Sequence, residues 1–301
     1  MSNKICTDIA NKYTNTILKK ITNVYQLQYI DFKPPGLGDY IRGCFCMMQL
    51  IYLLNKYCKT EIEFDMDLRN HPLSKYIICN NNESCTNYKD IGNFHIDVLV
   101  VKEDETDIAF QHILREMVNY ANKLKVANFN TFCCKFAIFN TIDDTHRDFI
   151  RSKFLPNSDM ESYIDSVIAE LGLHDYQVLH IRCRDELSFP PKPLTDRFLN
   201  TLNEHIATHI NNKTTYLLIT NHNDIKKYLV LKRPNLVAKT TEICHSGQDT
   251  YQTDIQIRDT LLDFFIMSRS SGIIAFSPYG LTGFSLECSK IFNIPYRFVS
   301  L

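Results

Sequence analysis

Beyond residue 157 the apolar positions alternate between stretches of period two and stretches with helical spacing. Strands are predicted at 176–182, 214–220, 235–238, 272–276 and 296–299, with helices at 194–210, 222–230, 255–270 and 283–292. Two further helices are predicted at 143–154 and 159–171, on either side of Pro156-Asn157-Ser158-Asp159. Strand and helix in strict alternation predict a parallel sheet with helices on its faces. The first half is less regular. It reads as an amphipathic helix over 5–22, a strand over 27–32 and a helix over 39–56. Short strands follow at 61–64 and 95–101, then a helix at 107–124 and a mixed strand-like stretch at 126–140. The expected fold class is α/β, with two Rossmann-like domains facing a central cleft: residues 1–165 and residues 166–301.

Length and composition support two domains, since 301 residues with 45 % hydrophobic content suffice for two cores. A net charge of −1 provides no basic field, so nucleic acid is not an expected partner. The start, Met-Ser-Asn-Lys-Ile-Cys-Thr-Asp, lacks the apolar core of a signal peptide, and the longest apolar run, Cys44 to Leu54, is too short to span a bilayer. The 11 cysteines are scattered with no CxxC pair, which favours buried free thiols over a metal site or a disulfide framework. A soluble cytoplasmic protein with no membrane span is expected.

The densest candidate chemistry lies at the end of the predicted strand 176–182, in His180-Ile181-Arg182-Cys183-Arg184-Asp185. If the strand persists, His180, Arg182 and Arg184 share one face. Arginine is always charged and grips phosphate with a planar fork of donors, and strand C-termini in α/β sheets are where ligands bind. A second candidate is Gly36-Leu37-Gly38-Asp39, where glycines and a helix start invite close approach of an anion, although Asp39 as a plain N-cap explains the pattern equally well. A third comprises Asp263, an acid inside an apolar helix, with Ser268 and the loop Ser277-Pro278-Tyr279-Gly280-Leu281-Thr282-Gly283-Phe284-Ser285. Thr220-Asn221-His222-Asn223 and His245-Ser246-Gly247 fall at the same sheet end, as local hydrogen-bonding residues or ligand groups. Asp65-Met66-Asp67 has the form of a metal-binding DxD, but without further acidic or histidine partners it reads as chance.

In order and placement these motifs resemble the fucosyltransferase superfamily with a GT-B fold, which includes α1,2-, α1,6- and protein O-fucosyltransferases and the nodulation fucosyltransferase, and most of all its short, soluble viral or bacterial members. The H-x-R-x-x-D signature stands as His180, Arg182 and Asp185. The downstream D-F-x-x-[LM]-S stands as Asp263 to Ser268, and the serine-rich loop begins at Ser277. The resemblance implies an inverting, metal-independent transfer of L-fucose from GDP-fucose to a hydroxyl of a glycan or protein acceptor, with no cofactor and the acceptor on the N-terminal domain. It implies Arg182 at the β-phosphate, His180 and Asp263 at the guanosine, and the loop from Ser277 through Tyr279 and Gly280 to Ser285 at the phosphates. Gly36, Gly38 and Arg184 complete the expected donor site. Many members carry a second arginine where this chain has Cys183, and the carboxylate that the α1,6 group places beyond the signature is absent. Asp39, Asp185 and Glu186 are the candidate bases. A different nucleotide sugar, or a non-catalytic nucleotide- or glycan-binding relative, are the alternative readings.

Overall fold

The computed structural model describes residues 18–25, 35–69, 71–78, 92–96, 112, 115–117, 119, 120, 122–134, 142–189, 191–243 and 253–301. The expected strand at 27–32 and His245 to Gly247 lie outside them. The chain divides into two units. One is built from residues up to Ser74 and from Cys79 to Phe154; the other comprises Lys75–Ile78 and Leu155–Leu301. The expected boundary at 165/166 falls inside a helix of the second unit, α3 (Ser158–Glu170).

The first unit holds a parallel sheet in the order β2-β1-β4-β3, with β1 Lys20–Val24, β2 Glu63–Asp67, β3 Gly92–Ile96 and β4 Asn128–Cys133. Strand β1 corrects the sequence expectation, which put Lys20 to Thr22 at the end of a helix. Its run Lys-Ile-Thr-Asn-Val is buried from Ile21 onward, including the polar Asn23. Asn23 anchors the unit. Its side-chain amide donates to the Cys133 carbonyl (3.1 Å) and to Cys44 Sγ (3.2 Å), and its Oδ1 accepts from Cys133 N (2.8 Å) and Thr131 Oγ1 (3.1 Å). Tyr40 donates its hydroxyl proton to the Asn23 carbonyl at 2.8 Å. A fully buried amide satisfied on both sides locks strand and helix together, because releasing either partner strands a polar group.

Helix α1 (Leu37–Cys58) lies on this sheet at very short range. A Cβ added at Gly43 would sit 1.8 Å from the Cys133 carbonyl oxygen, so only hydrogen fits there. Glycine costs some stability inside a helix, and here it permits the close approach. The unit also contains helix α2 (Asp144–Lys153) and helical residues at 115–117, 119, 120 and 122–124.

The second unit is an all-parallel five-stranded sheet in the order β7-β6-β5-β8-β9, with β5 Tyr176–Ile181, β6 Thr215–Thr220, β7 Leu236–Val237, β8 Ile273–Ser277 and β9 Tyr296–Ser300. Besides α3 it contains α4 (Asp185–Ser188), α5 (Asp196–Ala207), α6 (Asn223–Lys232), α7 (Asp254–Met267) and α8 (Gly283–Phe292). Leu179, Ile181, Leu218 and Phe276 pack with Leu199, Leu202 and Ile206 of α5 and with Ile225 and Leu229 of α6. Within this unit the strands run 3-2-1-4-5, so the connections leave β5 in one direction and β8 in the other. The crevice outside the carboxyl ends of β5 and β8 is therefore a topological switch point, the usual ligand position in such sheets.

The expectation of two α/β units built on parallel sheets is met. Six cysteines, Cys44, Cys46, Cys133, Cys134, Cys183 and Cys288, are free, and all but Cys134 are buried. Burial pushes the Cys44 thiol up to about 12, which makes it inert. Replacing Gly43 with alanine is expected to cost more than about 3 kcal/mol, since the clash is with backbone. Gly36→Ala is the control, because its added Cβ meets nothing nearer than Asp39 Oδ2 at 3.9 Å. Chemical denaturation of the two variants checks this; equal midpoints would refute it.

Candidate functional site

The site assembles where β5 and β8 end. His180 is in register with Ile219 on one side and Ala275 on the other. It is only 5 % exposed. Its Nδ1 shares a hydrogen bond with Ser285 Oγ at 2.8 Å and lies 3.4 Å from Thr282 Oγ1, and its ring stands 6.0 Å from that of Phe284. Burial, with the Arg182 guanidinium close by, pushes His180 down to about 3. The imidazole is therefore neutral and ties the strand end to the first turn of α8.

That tie changes the start of α8. Thr282 is its N-cap residue, but the Thr282 hydroxyl engages His180 and Ser285 and makes no cap. Helices α2, α3, α5, α6 and α7 each have a side-chain cap, from Asp143, Asn157, Thr195, His222 and Thr253. The leading amides of α8 thus remain without a side-chain acceptor, at the positive end of a helix dipole.

Arg182 follows directly. Its backbone N–H donates to the Phe276 carbonyl at 2.8 Å. Its guanidinium pairs with Asp185 and stands 5.8 Å from the Phe189 ring centroid. The surrounding loop is fastened at two points. Asn221 accepts from Cys183 N (2.7 Å) and donates to the Cys183 carbonyl (3.1 Å) and Ser188 Oγ (2.9 Å). Tyr279 accepts from Asp185 N through its hydroxyl at 2.8 Å. His222 donates through Nε2 to the Lys192 carbonyl (2.9 Å) and caps α6 through Nδ1, so its role is structural.

The structure brings together His180, Arg182, Asp185, Tyr279, Gly280 and Ser285, and it separates or reassigns others. The strand stops at Ile181, so Arg184 does not continue the face of His180 and Arg182; it is the exposed N-cap of α4, with Glu186 exposed two residues on. Cys183 points the other way, into the core with Leu179 and Ile181. Ser277 is fully buried and its hydroxyl accepts from Tyr279 N at 3.1 Å, which shapes the turn. Gly280 holds that turn with φ of +82°. Ser268 ends α7 and donates to the Phe265 carbonyl (2.7 Å). It lies at the amino edge of the sheet, where Ser271 meets the Tyr176 carbonyl, away from the Arg182 end.

Asp263 is half-buried on α7, and burial pushes it up to about 6, against the pull of Lys226. Lys226, which the sequence did not single out, is buried and donates to the Lys239 carbonyl (2.9 Å) and Thr241 Oγ1 (2.7 Å). In the first unit Gly36 is the N-cap of α1, with no side-chain cap, and Gly38 is buried in the first turn. Asp39 is not the N-cap: it sits inside that turn and pairs with Arg42. Asp65 is neutralised by Lys20 (3.1 Å) and Lys153 (2.9 Å), and Asp67 by Arg69 (2.7 Å), so the DxD pair is occupied by cations. Among the described residues no cluster of three or more His, Cys, Asp or Glu can hold a metal ion, and no helix is long and apolar enough to cross a membrane.

No protein-family profile matches the chain, and no curated protein matches it in sequence. Solved structures match in fold. A NodZ α-1,6-fucosyltransferase soaked with GDP-fucose aligns with a TM-score of 0.53 at 11 % identity, over 94 % of this chain and 95 % of that one. Fucosyltransferase NodZ from Bradyrhizobium, in selenomethionine form, aligns with a TM-score of 0.52 at 11 % identity, over 90 % and 91 %. The likeness is one of fold across nearly the whole of both chains, and it agrees with the GT-B class expected from the motifs.

The neutral state of His180 has a measurable sign. An unfolded histidine protonates near pH 6.5, while the native one resists protonation down to about 3, so stability is complete above pH 6.5 and falls as pH drops through that window. His71, buried and pushed down to about 4, acts in the same direction. Asp263 opposes both, because the native state gains a proton near 6 that the unfolded chain takes only near 4. Denaturation midpoints are expected to fall from pH 7 to 4.5, with a shallower fall in His180→Gln. An unchanged slope in that variant would mean that His180 ionises freely in the native protein.

Proposed function

We propose that the protein is a glycosyltransferase that moves L-fucose from GDP-fucose to a hydroxyl of a glycan or protein acceptor, with inversion and without a metal ion. The observation that carries this reading is that Arg182 and the uncapped start of α8, which His180 ties to the same strand end, both lie at the switch point of β5 and β8. A permanent cation and a fan of open amides suit a diphosphate. The same fold in a fucosyltransferase soaked with GDP-fucose supports the choice of donor.

In the reaction the bond between the anomeric carbon and the β-phosphate oxygen breaks, and negative charge grows on GDP. Arg182 and the α8 amides oppose that charge more in the transition state than in the ground state, which is where rate enhancement arises. The acceptor oxygen bonds to the anomeric carbon from the opposite face, and its proton passes to a carboxylate. Asp185 stands beside Arg182, Glu186 follows it, and Asp39 occupies the first turn of α1. The variant among Asp185→Asn, Glu186→Gln and Asp39→Asn that abolishes transfer while GDP still binds identifies the base. Asp263 and His180 are assigned to the guanosine, Gly36, Gly38 and Arg184 to the donor's periphery, and the first unit to the acceptor. The buried free thiols favour a reducing compartment, the cytoplasm.

Arg182→Ala is expected to lower turnover at least about a hundredfold, on the order of 3 kcal/mol. GDP release with glycan acceptors measures it, and a near-normal rate would remove Arg182 from the phosphate. Transfer is expected to persist in EDTA. Stabilisation by UDP-sugars in preference to GDP-fucose would replace the donor in this reading.

A further inference from the structure

Lysine is almost never fully buried unless partners hold its ammonium. Lys226 of α6 is 4 % exposed. It donates to the Lys239 carbonyl (2.9 Å) and to Thr241 Oγ1 (2.7 Å), both on the segment 239–242 that follows β7. The same segment is held twice more. Asn223 Nδ2 donates to the Thr241 carbonyl at 3.2 Å, and Glu242 N donates to Asp259 Oδ2 at 2.9 Å. Segment 239–242 is thus a strap fastened to α6 at one side and to α7 at the other. Fastening alone needs no charge, since Asn223 does it with a neutral amide. The charge of Lys226 has a separate target. Asp263 lies one turn beyond Asp259 on α7, where the Lys226 ammonium attracts its carboxylate and Asp259 repels it. Asp259 has its own partners in Glu242 N, the Tyr163 hydroxyl (3.3 Å) and Arg258 (3.5 Å).

We infer that Lys226 is a positioning residue for the nucleoside end of the site: it seats the strap 239–242 on α6 and sets its ammonium opposite Asp263. The inference rests on the donor reading above, in which Asp263 meets the guanosine. A carboxylate serves the N–H and O–H groups of a nucleoside as an acceptor on both oxygens only while it is ionised. Burial and the neighbouring Asp259 work against that state, and Lys226 works for it. The lysine acts through Asp263 and needs no contact with the nucleotide.

Titration calorimetry of the full chain with GDP-fucose, from about pH 5 to about pH 8.5, tests this. Each phosphate of a nucleotide sugar carries one strongly acidic proton, so the ligand itself does not titrate in that range. Wild-type affinity is expected to fall as pH drops through about 6, where Asp263 takes its proton. Lys226→Gln keeps a donor for Thr241 and loses the charge; its midpoint is expected to rise by about one pH unit, with affinity recovered at the alkaline end. Lys226→Arg keeps the charge and is expected to keep the wild-type midpoint. Asp263→Asn is expected to flatten the profile. An unmoved midpoint in Lys226→Gln, or equal weakening at every pH, would reduce the lysine to an anchor of the strap and overturn the inference while the donor reading stands. A flat wild-type profile does the same. If Lys226→Gln does not fold, the double variant Lys226→Gln/Asp263→Asn decides: recovered folding supports the pairing of the two charges, and continued unfolding overturns it. Wild type that binds no GDP-fucose at any pH removes the donor reading, and the inference with it.

Discussion

The second unit depends on one buried contact, the hydrogen bond between the neutral imidazole of His180 and the Ser285 hydroxyl. It joins the end of a central strand to the start of the helix that follows its neighbour in the sheet. A buried imidazole is tolerated only while partnered, and its partners are the two hydroxyls that otherwise would close the helix end. Fixing β5 against α8 in this way leaves the helix end open and brings Arg182 to the same edge of the sheet. Asn221 and Tyr279 then secure the loop that carries the cation's carboxylate partner. Most of what the site can do to an anion descends from that one arrangement.

The second unit was legible in sequence because its strands are nearly continuous apolar runs and its helices are bounded by cap residues such as Asn157, Thr195 and Thr253. Boundaries moved by only a residue or two in most elements. What stayed hidden was direction. Nothing in His-Ile-Arg-Cys-Arg-Asp says that the strand stops at Ile181; beyond it the Cys183 backbone is taken by the side chain of Asn221, distant in sequence. Arg184 accordingly left the expected face. Ser268 shared the motif of Asp263 but sits about one and a half helical turns nearer the other sheet edge, a consequence of helix rise.

The first unit resisted reading for another reason. Strand β1 is five residues long, and its central Asn23 is a polar group placed entirely by tertiary partners on α1 and β4. Local pattern carries a helix through Thr22, just before it, and long-range satisfaction of the Asn23 amide favours the strand. Gly43 is similar: within a helical run it looks like a defect, and only the carbonyl of Cys133 explains it.

Cys183 has a wider consequence. Its side chain belongs to the packed interior between the sheet and α5, so the residue following Arg182 cannot supply a second guanidinium without disrupting that interior. The single one in line with the strand is already shared with Asp185. In the proposed reaction the spent nucleotide is then held by little permanent positive charge. A diphosphate bound there would compete with Asp185 for that guanidinium, and its departure would return the cation to a partner already in place.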